Sequence, residues 1–185
     1  MTPRHRRLTT GRAFLHIQSG VLTCSLALSP AAVAASELNV TIEIPQLNVA
    51  EYHRPYLAVW LERSDQTVAA NLAVWYEIKR GETGTRWLTD LRQWWRRGGR
   101  DQQFPIDGVT GATRPIGLHL LSFNADKAPL AGLAEGNYAL VIEVVREAGG
   151  REALRIPVEW PARVVARVTA NGKAELGAVV LTLNP

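Results

Sequence analysis

Sulfur is almost missing from this chain of 185 residues, which has one cysteine, Cys24, and one methionine, Met1. Cys24 lies in an N-terminal stretch built like an export signal. Arg4, Arg6, Arg7 and Arg12 form a basic head, Ala13 to Leu28 is an apolar run, and Ala32-Val33-Ala34 offers small residues for cleavage. The run is short for a membrane anchor. Residues 1–35 are therefore expected to be a secretory signal peptide, and 36–185 a single exported, periplasmic domain. Val21-Leu22-Thr23-Cys24 is a poor lipidation box because Thr23 is bulky, and Thr9-Thr10 after Arg6-Arg7 favour ordinary secretion. Once Cys24 leaves with the signal, the mature protein can have no disulfide, no cysteine-ligated metal and no thiol nucleophile.

Histidine is scarce too. Of four, only His53 and His119 lie beyond residue 35, too few for a histidine metal site on their own. An excess of positive charge is also lacking. The signal holds four arginines and no acid, so 17 basic residues face 17 acidic ones in the remainder. Nucleic acid loses its main electrostatic support as a partner. No Gly-x-Ser-x-Gly, His-Glu-x-x-His or Walker phosphate loop occurs. His53, beside Glu51 and Arg54, reads as a surface or strand-end residue rather than a catalytic base.

Strand patterns are plentiful. Leu38, Val40, Ile42 and Ile44 alternate with polar residues up to Pro45, which predicts a half-buried strand. Tyr56 to Leu61 is a continuous apolar run suited to a central strand, and Thr67 to Ile78 gives a third. Gly117–Phe123, Gly136–Val145, Arg151–Trp160 and Leu176–Leu183 follow, with turns at Gly149-Gly150 and Gly172. One helix is expected, over Arg86–Arg97, capped by Thr85 and stopped by Gly98-Gly99. Its apolar arc holds Leu88, Leu91 and Trp95, with Trp87 and Trp94 at the rim. Seven or eight short strands, one helix and no βαβ alternation predict an all-β, immunoglobulin-like or fibronectin-like β-sandwich.

Between the helix and the later strands, Gly98–Pro115 shows neither period and reads as a long functional loop. At its centre stands Asp107-Gly108-Val109-Thr110-Gly111-Ala112-Thr113, followed by Arg114-Pro115. A carboxylate begins the motif, a hydroxyl ends it, and the small residues between allow close approach of another molecule. Asp107-Gly108 and Thr110-Gly111 are also ordinary turn pairs.

This motif resembles the flavinylation signal Asp-x-x-(Ser/Thr)-Gly-Ala-Thr of bacterial FMN-binding domains, as in the Rnf and sodium-pumping NADH:quinone reductase complexes. There a flavin transferase of the ApbE type joins FMN through its phosphate to the last threonine. The resemblance implies Thr113 as acceptor, with Asp107, Gly108, Thr110, Gly111 and Ala112 in the recognised loop. Arg114 stands ready to pair with the phosphate, and Trp87 or Trp94 to stack on the isoalloxazine ring. The rest of the chain, in Tyr52-His53-Arg54-Pro55-Tyr56 and Trp87–Arg97, resembles an uncharacterised family of predicted periplasmic proteins. The implied function is electron transfer by covalent FMN, with a PepSY-type or other membrane redox protein as donor, rather than catalysis by a stand-alone enzyme. A cofactor-free periplasmic module that binds a protein or glycan is the second expectation.

Overall fold

Two sheets face each other across an apolar layer, and short helical segments cover the outside of one of them. The computed structural model describes Met1 and residues 36–185, so the expected signal peptide lies outside the described residues. The strands are β1 Glu37–Ile44, β2 Tyr56–Glu62, β3 Val68–Tyr76, β4 Thr110–Ala112, β5 Gly117–Asn124, β6 Gly136–Val145, β7 Arg151–Trp160, β8 Ala166–Asn171 and β9 Ala178–Asn184. One sheet has the order β5-β1-β9-β8 and the other β4-β3-β2-β6-β7. The expected all-β sandwich is present. Two strands go beyond the expectation: β4, inside the motif, and β8, an edge strand with little burial to give it a period.

The alternation read in β1 is the alternation observed. Leu38, Val40, Ile42 and Ile44 point into the inter-sheet core and meet Leu57, Val59 and Leu61 of β2, Leu140, Ile142 and Val144 of β6, and Leu181 of β9. The unbroken apolar run of β2 has a different cause. Its other face, Ala58 and Trp60, is buried as well, under a second cluster formed by Leu88, Leu91, Trp94 and Val109. A strand covered on both sides loses its polar alternation.

The expected helix over Arg86–Arg97 is broken in two. Helix α1 spans Glu82–Arg86, a 3-10 turn follows over Trp87–Asp90, and helix α2 spans Arg92–Arg97. Leu91 leaves the helical region at ψ 69°. The cause lies far along the chain, where the buried Glu143 carboxylate of β6 accepts from the backbone N–H groups of Gln93 (3.0 Å) and Trp94 (2.8 Å). Those are unpaired donors of a helix first turn, and a carboxylate there both caps it and suits its dipole. A new helix therefore starts at Arg92. Thr85 sits inside α1 instead of capping, its hydroxyl donating to the Glu82 carbonyl.

The break changes the helical phase, so the tryptophans exchange places. Trp94, expected at the rim, is fully buried, and its indole N–H donates to Asn71 Oδ1 at 2.8 Å. Trp95, expected at the centre of the arc, is only half-buried. Trp87 remains outside at 43% exposure.

Candidate functional site

The motif is not a free loop. Ile106 to Val109 forms a tight turn closed by Val109 N–H to the Ile106 carbonyl at 3.2 Å, with Gly108 at φ 67°. Only glycine enters that region without strain, which accounts for Asp107-Gly108 as a turn pair. Thr110 secures the turn from the other side. Its N–H donates to the Ile106 carbonyl at 2.9 Å, and its hydroxyl accepts from the Ile106 N–H at 2.8 Å. Val109 tucks its side chain into the cluster beneath the helices.

Thr110–Ala112 then forms β4, paired parallel to β3 with Val74 opposite Thr110, Trp75 opposite Gly111 and Tyr76 opposite Ala112. The expectation of a loop throughout Gly98–Pro115 is corrected here, as is Thr110-Gly111 as a turn pair. Three residues are too few to reveal a period of two, and parallel pairing needs a distant strand. The Thr113 N–H donates to the Tyr76 carbonyl at 3.2 Å, so the ladder runs on to the expected acceptor.

Gly111 owes its size to its neighbour. A β-carbon there would lie 3.0 Å from Cδ1 of the Trp75 indole. The Arg114 guanidinium rests over the same indole, 5.4 Å from the ring centroid, and His119 meets the indole edge at 5.7 Å. Arg114 is thus engaged on Trp75.

Asp107, Gly108 and Ala112 are exposed and Thr113 is half-buried. Thr113 lines a cavity of about 460 Å³ together with Tyr52, His53, Arg54, Lys79 and Arg80. Three cationic side chains therefore converge where the motif ends. Arg80 is paired with Glu77 at 2.7 Å. Glu77 itself lines the cavity, and His53 lies 3.2 Å from Glu51 and 3.8 Å from Glu147. Burial pushes the Tyr52 phenol up from its usual range.

Sequence reasoning placed Arg114 beside the acceptor but did not bring Arg54, Lys79 and Arg80 there. They come from the approach to β2 and the turn after β3, joined to the motif only by the β3–β4 pairing. Trp94 has no exposed face, so the expectation that it stacks on a ring is corrected by its burial against Trp60 and Val74. Trp87 keeps its exposure, with Arg86 over its ring at 5.8 Å.

Fold and site together define a β-sandwich in which a threonine just past an edge strand lines a cavity shared with three cationic side chains and Glu77. Over residues 37–178 the chain matches the family described as "Predicted periplasmic protein (DUF2271)", and it belongs to that family. No curated protein and no solved structure matches it.

Proposed function

We propose that this protein is a periplasmic electron carrier whose Thr113 bears FMN through a phosphoester. The observation that supports it most is the position of Thr113, half-buried at the cavity it shares with Arg54 and Lys79. The chain's own residues fit such a group. An esterified phosphate keeps one negative charge, and cations close to it stabilise that charge. The β4 pairing and the Thr113 N–H bond to Tyr76 hold the backbone at the acceptor, while exposed Asp107, Gly108 and Ala112 leave the motif open to another enzyme.

In the modification, the Thr113 oxygen forms a bond to the FMN phosphorus of FAD while the pyrophosphate P–O bond breaks. AMP leaves, and the hydroxyl proton passes to the transferase. Once bound, the flavin supplies one- and two-electron redox chemistry, and the protein holds it and tunes its potential. A membrane redox protein of the PepSY type is the proposed electron donor, and an ApbE-type flavin transferase is the modifying partner.

Co-expression with an active flavin transferase, followed by intact-mass measurement, tests the assignment. The expected result is a mass increase of one FMN, lost in Thr113→Ala and kept in Thr113→Ser. An unmodified mass beside a transferase active on a control substrate overturns it. That outcome would favour a cofactor-free binding module, for which Leu118 and Leu120 of β5, 70% and 65% exposed, offer an apolar contact.

A further inference from the structure

A second cavity adjoins the one at Thr113. It measures about 330 Å³, and its walls include Tyr56, Trp87, Val145 and Ala148. Glu77 and Arg80, themselves an ion pair, line both cavities. Their linings differ in character. The first sets Arg54 and Lys79 beside Thr113, and the second sets an indole, a phenol and aliphatic surface among the charged side chains of Asp90, Arg146 and Glu147.

The aromatic pair comes from separate elements. Tyr56 opens β2, and Trp87 opens the 3-10 turn created by the break between α1 and α2. A tryptophan left 43% exposed beside a concavity forgoes burial that its size would normally reward. Arg86 covers the Trp87 ring at 5.8 Å, and Arg86 itself lines a different concavity, so the indole is held from behind. Tyr56 lies 6.4 Å from Tyr76, which anchors it in turn. Burial raises the Tyr56 phenol, with the nearby backbone of Glu77 opposing the shift.

From this geometry we infer that the Tyr56–Trp87 cavity is the seat of a planar heteroaromatic ring, the isoalloxazine of the flavin whose phosphate end is fixed at Thr113. The inference rests on the reading of Thr113 given above. The ribityl chain would then pass the Glu77–Arg80 pair, and Trp87 and Tyr56 would hold the ring. Indole contact quenches flavin emission by electron transfer, and this supplies a readout independent of any redox activity.

The test uses protein flavinylated by co-expression, with the FMN mass verified first. In the wild type, flavin emission is expected to rise several-fold on unfolding in urea. Folded Trp87→Ala is expected to emit clearly more than folded wild type, though less than the unfolded protein because the Tyr56 phenol also quenches, at unchanged FMN mass and unchanged far-UV dichroism. Trp87→Phe, which keeps a ring but is a poorer quencher, should lie between folded wild type and folded Trp87→Ala. Equal emission from folded wild type and folded Trp87→Ala, both carrying FMN, overturns the seat and leaves the attachment at Thr113 standing. Wild-type emission unchanged by urea overturns it without recourse to a variant. Absence of the FMN mass from the wild type overturns both.

Discussion

Trp75 and Gly111 stand opposite each other across the parallel β3–β4 pair, and the indole occupies the space a side chain at Gly111 would need. The glycine in the middle of the motif is therefore packed closely against the sandwich. Trp75 is 2% exposed and pressed between Arg114 and His119, so it has little freedom to retreat. Gly111→Ala is expected to destabilise the protein by about 1–3 kcal/mol through overpacking. Urea unfolding measures this, and a stability equal to wild type would show that the indole shifts freely.

Glu143 ties the helical layer to the sheet. It is fully buried and accepts from Gln93 and Trp94 N–H, with Arg151 at 4.0 Å. Glu143→Ala strands two donors in a closed site and is expected to cost about 2–4 kcal/mol. Glu143→Gln keeps one acceptor oxygen and should cost clearly less. Denaturant midpoints of the two variants decide this, and a Glu143→Ala variant as stable as wild type would mean that the cap contributes nothing.

The burial of Trp94 and the exposure of Trp87 predict opposite sensitivities. Trp94→Ala removes a fully buried indole and its hydrogen bond to Asn71, a loss of about 3–5 kcal/mol. Trp87→Ala touches a half-open site and is expected to stay within about 1 kcal/mol of wild type. Thermal unfolding of both variants checks the order. The reverse order would restore Trp94 to the rim.

Glu152 predicts a pH dependence. Burial alone would raise its carboxyl, but the N–H groups of Lys173, Leu176, Ala174 and Glu175 together outweigh that and hold it below the usual range. A carboxyl depressed in the folded state adds stability above its unfolded pKa and loses it as pH falls through the folded value. Glu152→Gln should therefore be less stable than wild type at pH 7, by about 1 kcal/mol given partial solvation. The gap should close below roughly pH 4. A gap that persists into acid would remove the charge from the explanation.

The unexpected parts of the site all depend on long-range contacts. Arg54 and Lys79 reach Thr113 because β4 pairs with β3, a contact made between residues far apart in sequence. The helix break rests on Glu143, some fifty positions beyond the residues it caps, and its apolar neighbours gave no sign of a cap.

From sequence alone came the strands whose burial is one-sided or complete, because β1, β2 and β6 write their surroundings into their side chains. The motif and its terminal threonine were legible in the same way, as local chemistry. Tertiary structure alone decided which tryptophan faces the cavity, why Gly111 is glycine, and which cations stand near Thr113. Those outcomes follow from one buried carboxylate resetting a helix and one short strand joining a sheet, and neither leaves a periodic trace in the chain.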